Sequence, residues 1–175
     1  MSLERFVGIA AVVATLLLAS CSTVTPAERV HQMGELTTVG PVIYNVLETE
    51  WRAGIGEDIS QRIPEHRYLL IRMTITNSGD RDVAIPLLTI EDHEGNVYLE
   101  ESSMEGLSNW LGLLRVVQPA ATLQGQAVFD VPVGDYMLRV TDGGELESER
   151  TALVEIPLAF GAPDPLQTIP STIME

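Results

Sequence analysis

The stretch RYLLIRMTIT, residues 67–76, decides the fold. Leu69, Ile71, Met73 and Ile75 fall on one side of an extended chain; Tyr68, Leu70, Arg72, Thr74 and Thr76 fall on the other. Successive side chains of a strand point to opposite faces, so this period of two predicts a sheet strand with one buried face.

The same alternation recurs along the chain. In AVFDVP (127–132), Ala127, Phe129 and Val131 oppose Val128 and Asp130; in YMLRVT (136–141), Tyr136, Leu138 and Val140 oppose Met137, Arg139 and Thr141. TALVEIP (151–157) sets Ala152, Val154 and Ile156 against Leu153 and Glu155. PVIYNVLE, from Pro41, and VAIPLLTIED, from Val83, read as further strands. Pro86 interrupts the second and points to an edge or a bulge, because proline gives no hydrogen bond to the ladder. Turn-forming residues at 77–80, 94–96, 134–135 and 142–144 separate these runs. Only ESSMEGLSNWLGLL (101–114) suits a helix: Ser102 can cap it with Glu105, and Met104, Leu107 and Leu111 fall at helical spacing. The pattern predicts a mainly β protein, an immunoglobulin-like antiparallel β-sandwich with one short crossover helix.

The 175 residues suit one domain, and 45% of them are apolar, enough for a core. The formal charge is −15, from 25 acids against 10 bases, and every base is Arg. Such a chain repels phosphate, which argues against nucleic-acid binding and against electrostatic attachment to anionic membranes.

Residues 6–19, FVGIAAVVATLLLA, are unbroken apolar sequence behind Arg5. Fourteen residues fall short of the ~20 that span a bilayer as a helix. With small residues at its end, the run reads as the helix of a secretory signal peptide over residues 1–20. Leu18, Ala19, Ser20 and Cys21 resemble the lipobox of bacterial lipoproteins. That resemblance implies lipidation and N-terminal exposure of Cys21, with acyl chains such as palmitate as the membrane anchor. Cys21 is the chain's single cysteine, so no disulfide can form within it. Ser22 lacks the Asp of the inner-membrane retention signal, which implies the periplasmic side of the outer membrane if the source is Gram-negative. Residues 21–38 are expected to be a flexible tether, residues 39–158 the sandwich, and the proline-rich residues 159–175 a tail.

The order of the strands resembles the DUF4352 family of bacterial surface proteins. The residues that carry the likeness are Gly40-Pro41-Val42, LIRMTITNSG (70–79), IEDHEGNVY (90–98) and PAATLQGQAVFDVP (119–132). The resemblance implies an immunoglobulin-like domain, also described as telokin-like or MPT63-like, and brings no catalytic residues. Ala120 stands where the family usually has Gly, so the turn after Pro119 is expected not to need a positive φ.

EDHEGN (91–96) is the richest group of ligand-type side chains, with Asp92, His93 and Glu94 as candidate cation ligands. The competing reading is a hairpin turn, in which Asp92 bonds its own backbone. Trp110 and Leu111 are candidates for an exposed patch that grips a partner, against the alternative of packing in the core. No motif of a hydrolase, metalloprotease or phosphate loop occurs. The expectation is a lipid-anchored envelope protein without enzymatic activity or cofactor, binding another envelope protein. The alternative is a binder of small ligands or divalent cations through the loops at a sandwich end.

Overall fold

A computed structural model describes residues 29–56, 61–104, 106–144 and 148–158. Its eleven strands are β1 (Val30–His31), β2 (Leu36–Val39), β3 (Val42–Arg52), β4 (Arg67–Asn77), β5 (Val83–Ile85), β6 (Thr89–Glu91), β7 (Val97–Leu99), β8 (Arg115–Val117), β9 (Thr122–Val131), β10 (Tyr136–Thr141) and β11 (Thr151–Ile156). They form a five-stranded sheet in the order β1-β11-β10-β6-β7, a four-stranded sheet β2-β3-β4-β9 and a small β5-β8 pair. Every pairing is antiparallel except β1 with β11. This is the mainly β sandwich that the alternation predicts.

The inner face of β4 holds the expected residues: Leu69, Ile71, Met73 and Ile75 are fully buried. They belong to one core with Tyr44, Phe129, Leu138 and Ile90 from both sheets. Tyr44 on β3 crosses that core and donates its hydroxyl to the Thr141 carbonyl on β10 at 2.6 Å. Burial raises the Tyr44 pKa well above that of a free phenol, and the bond to Thr141 only partly offsets it.

Three expectations need correction. The sandwich begins before residue 39, because β1 and β2 lie within the segment read as a tether. The alternation of β2 is inverted in hydropathy: Thr37 is 0% exposed while its neighbour Leu36 is 67% exposed. A pattern of apolar positions cannot register a strand whose buried side carries Thr.

The expected crossover helix does not form among the described residues of 101–114. Gly106 (φ 94°), Asn109 (φ 64°) and Gly112 (φ 78°) take left-handed conformations that end any helical turn. The segment instead straps the outer face of the four-stranded sheet. Asn109 accepts the Gln126 N–H through its carbonyl at 2.7 Å, and the Leu111 N–H donates to the Gln126 carbonyl at 3.0 Å. Met104 seals a second apolar cluster with Ile55, Tyr68, Leu70 and Val128, so the first half of β4 is buried on both faces.

Ala120 does take a positive φ, 59°. Its N–H donates to the Asn77 carbonyl at 2.9 Å, and the Asn77 N–H donates to the Ala121 carbonyl at 3.0 Å. These bonds fix the turn whichever residue stands there. The signal segment 1–20 and the tail 159–175 lie outside the described residues.

Candidate functional site

The Asp92 group forms the β6–β7 hairpin turn. Asp92 Oδ1 accepts the backbone N–H groups of Glu94 and Asn96, both at 2.9 Å. Its Oδ2 accepts Asn96 Nδ2 at 2.8 Å and the Tyr98 hydroxyl at 3.2 Å. The Asn96 side chain, followed by these backbone donors, holds the Asp92 carboxyl below its usual pKa. A carboxylate serving four donors is committed to its turn, and Gly95 (φ 85°) closes it. His93 lines the same open cleft as Asp92 and Glu94, its Nε2 4.0 Å from Asp135 on the β9–β10 loop. Asp92, His93 and Glu94 border one open cleft, but no group of three side chains placed to hold a metal ion occurs among the described residues. The open cleft beside the turn, about 410 Å3, is backed by Tyr98 and Tyr136. The Tyr98 and Tyr136 rings meet edge-on at 5.9 Å, and the Trp51 ring stands 6.4 Å from Tyr136. Burial pushes the Tyr136 phenol up to about 12.

Trp110 and Leu111 do not form an exposed patch. Leu111 is 6% exposed and belongs to the main core, while Trp110, itself part of the strap, is half-buried against the second cluster. The Trp110 indole N–H is buried without a partner. The packing alternative is the correct one for both. Cys21 and the Leu18, Ala19 and Ser20 that precede it lie outside the described residues.

The exposed apolar side chains stand elsewhere, at positions the alternation passes over. On β7, Val97 and Leu99 are 62% and 60% exposed and share the outer face of the five-stranded sheet. Among the described strands, β7 pairs with β6 alone, which leaves it at the sheet's edge. The second group is Leu113, Leu114 and Val116, with Leu114 92% exposed.

A buried ion pair sets the geometry of that second group. Arg115 bonds Glu100, and both side chains are wholly buried. Arg115 Nε also donates to the Gly112 carbonyl at 2.7 Å, and Glu100 Oε2 accepts the Leu88 N–H at 3.0 Å. Burial raises the Glu100 pKa, opposed by Arg115 and the Leu88 N–H. Drawing Arg115 inward leaves Leu113 and Leu114 pointing out, where they line an open cleft of about 410 Å3 with Ile85, Gly143, Gly144 and Glu149. A readable signal was present: two leucines between a glycine and an arginine satisfy neither period.

Fold and surface define an antiparallel β-sandwich module that displays apolar side chains on one sheet edge and at one end. The chain belongs to the DUF4352 family (domain of unknown function), which matches residues 31–149. No curated protein matches the sequence. Among solved structures, the yjhA protein of Bacillus subtilis is similar at a TM-score of 0.57 and 15% identity, over 72% of this chain and 98% of that one. The ycdA protein of Bacillus subtilis, described as a "putative lipoprotein", is similar at 0.56 and 11% identity, over 70% of this chain but 38% of its own. A functionally unknown protein of Listeria monocytogenes is similar at 0.53 and 8% identity, over 71% and 82% of the two chains. At these identities the likeness is one of fold.

Proposed function

We propose that this chain is a lipid-anchored protein of the bacterial cell envelope whose sandwich is a non-enzymatic module for binding another envelope protein. The anchor rests on Leu18-Ala19-Ser20-Cys21 behind an apolar run, and the fold shared with a protein described as a lipoprotein supports it. In a Gram-negative cell, Ser22 directs the product to the periplasmic face of the outer membrane. Replacing Cys21 with Ala is expected to release the protein from the membrane fraction; unchanged retention overturns the anchor.

The observation that carries the binding role is the β7 edge. An edge strand has backbone groups that a partner strand can pair with, and exposed apolar side chains beside it supply contact area. Val97 and Leu99 give β7 both features. On the same face, Glu91 sits opposite Val97 and Thr89 opposite Leu99, a mixture of polar and apolar groups typical of reversible protein contacts. A photocrosslinking amino acid placed at Val97 in the intact lipoprotein is expected to yield a discrete adduct in cells, absent when placed at exposed Ile63. No adduct from Val97, or the same adducts from both positions, refutes the reading.

A further inference from the structure

The Leu113–Leu114–Val116 group needs a different occupant, and the course of β1 indicates which. Val30 pairs with Leu153 and His31 with Val154, and β1 runs parallel to β11. The chain before Val30 therefore leaves past Thr151, toward the end of the sandwich where β11 begins. Glu149, Gly143 and Gly144 lie at that end, and they line the same cleft as Leu113 and Leu114. Seven residues lie between Cys21 and Arg29, eight steps along the chain. Fully extended, they reach at most about 29 Å. The eleven residues of β4, ten steps, already span roughly 33 Å from one end of the sandwich to the other. A lipid on Cys21 thus brings this end of the domain, and not the opposite one, against the bilayer.

We infer that Leu113, Leu114 and Val116 form a membrane-contact surface that dips into the interfacial layer of a bilayer with zwitterionic headgroups. The inference rests on the lipid-anchor reading. Charge selects the kind of lipid: a chain with 25 acids against 10 arginines gains nothing from anionic headgroups, so the contact is apolar. Three side chains would hold a free domain only weakly. A domain already tethered meets the surface at high effective concentration, and a weak contact is then enough to orient it. That orientation would point the β7 edge sideways or away from the membrane, where a protein partner can reach it.

The test uses the full-length lipoprotein with Leu114→Cys, whose new thiol is the only free one once Cys21 carries its thioether. It is labelled with an environment-sensitive fluorophore and reconstituted in phosphatidylcholine vesicles, beside Leu113→Cys and an Ile63→Cys control. Mass spectrometry of the N-terminal peptide and vesicle flotation of the unsubstituted protein test the anchor separately. The expected result is a blue-shifted emission at 113 and 114, quenched by brominated acyl chains, with neither effect at 63. Flotation combined with a water-like spectrum at 114 overturns the membrane contact while leaving the anchor intact. A blue shift that brominated lipid does not quench, and that grows with protein density in the vesicle, overturns it in favour of a second copy of the chain. Failure to float, or an N-terminus without lipid, removes the anchor and this inference with it.

Discussion

Two residues with left-handed backbone make opposite predictions. Ala120 holds φ at 59° with a Cβ that this conformation disfavours by about 1–2 kcal/mol. Glycine avoids that strain but gives back about 0.5–1 kcal/mol in chain entropy. Ala120→Gly is therefore expected to raise stability by about 0.5–1 kcal/mol in urea titration. At Gly143 (φ 68°) an added Cβ would lie 2.2 Å from the Ala84 carbonyl oxygen, which backbone cannot yield cheaply. Gly143→Ala is expected to cost upwards of about 2 kcal/mol, the sum of the left-handed strain and overpacking. Equal midpoints for these two variants and the parent would contradict both assignments. Asp142, beside Gly143, shows competing influences on a carboxylate. Burial pushes its pKa up, but the Arg150 N–H and guanidinium and the Gly144 N–H outweigh that and hold it below the usual range.

Among elements, the link from β7 to β8 depends on the Glu100–Arg115 pair. Removing one partner of a buried pair strands the other, at about 3–5 kcal/mol. Arg115→Met is expected to lose that much, and Arg115→Met combined with Glu100→Gln to recover part of it. The native Glu100 has a raised pKa, so the folded state holds its proton more tightly than the unfolded chain. Its contribution to stability is full below the ordinary glutamate value and is lost as pH rises through the folded pKa. The stability difference between wild type and Glu100→Gln should accordingly shift against wild type as pH rises; a pH-independent difference refutes this. What could be read from sequence at this scale follows from the same physics. The long strands β4, β9, β10 and β11 were legible because each carries apolar residues at every second position facing the main core. The β2 strand was not, since Thr37 faces in and Leu36 faces out. The strap at 101–114 carried helical spacing, but Met104 and Leu107 pack with Tyr68, Leu70 and Val128 while Leu111 enters the main core, so the spacing is not a helical period. The Asp92 turn was legible as one of two readings; Asn96 and Tyr98, which take up its second oxygen, decide between them.

At the scale of the whole molecule, the charge of −15 repels itself in the compact state more than in the unfolded one. Raising the salt concentration from about 0.01 M to about 0.15 M shortens the screening length from ~30 Å to ~8 Å and is expected to raise the melting temperature. Sodium and choline chlorides should act alike in calorimetry; an effect of one cation alone would point to specific binding instead. In acid the direction reverses for Asp92 and Asp142, whose lowered pKa values give stability that is present at neutral pH and lost as pH falls through the folded values.

The two-residue β1 also has a mechanical meaning. A pull on the chain at Arg29 runs along the axis of β1, so its bonds to β11 are loaded in shear rather than peeled apart one at a time. If they slip, the Gln32 side-chain amide still donates to Glu155 at 2.7 Å, and beyond it the Gly34 N–H donates to the Val46 carbonyl at 2.8 Å. Slippage from Val30 to Gly34 frees four residues, whose fully extended length is at most about 14 Å. If Cys21 carries the proposed lipid, a load on the domain would draw out this segment before it opened the core.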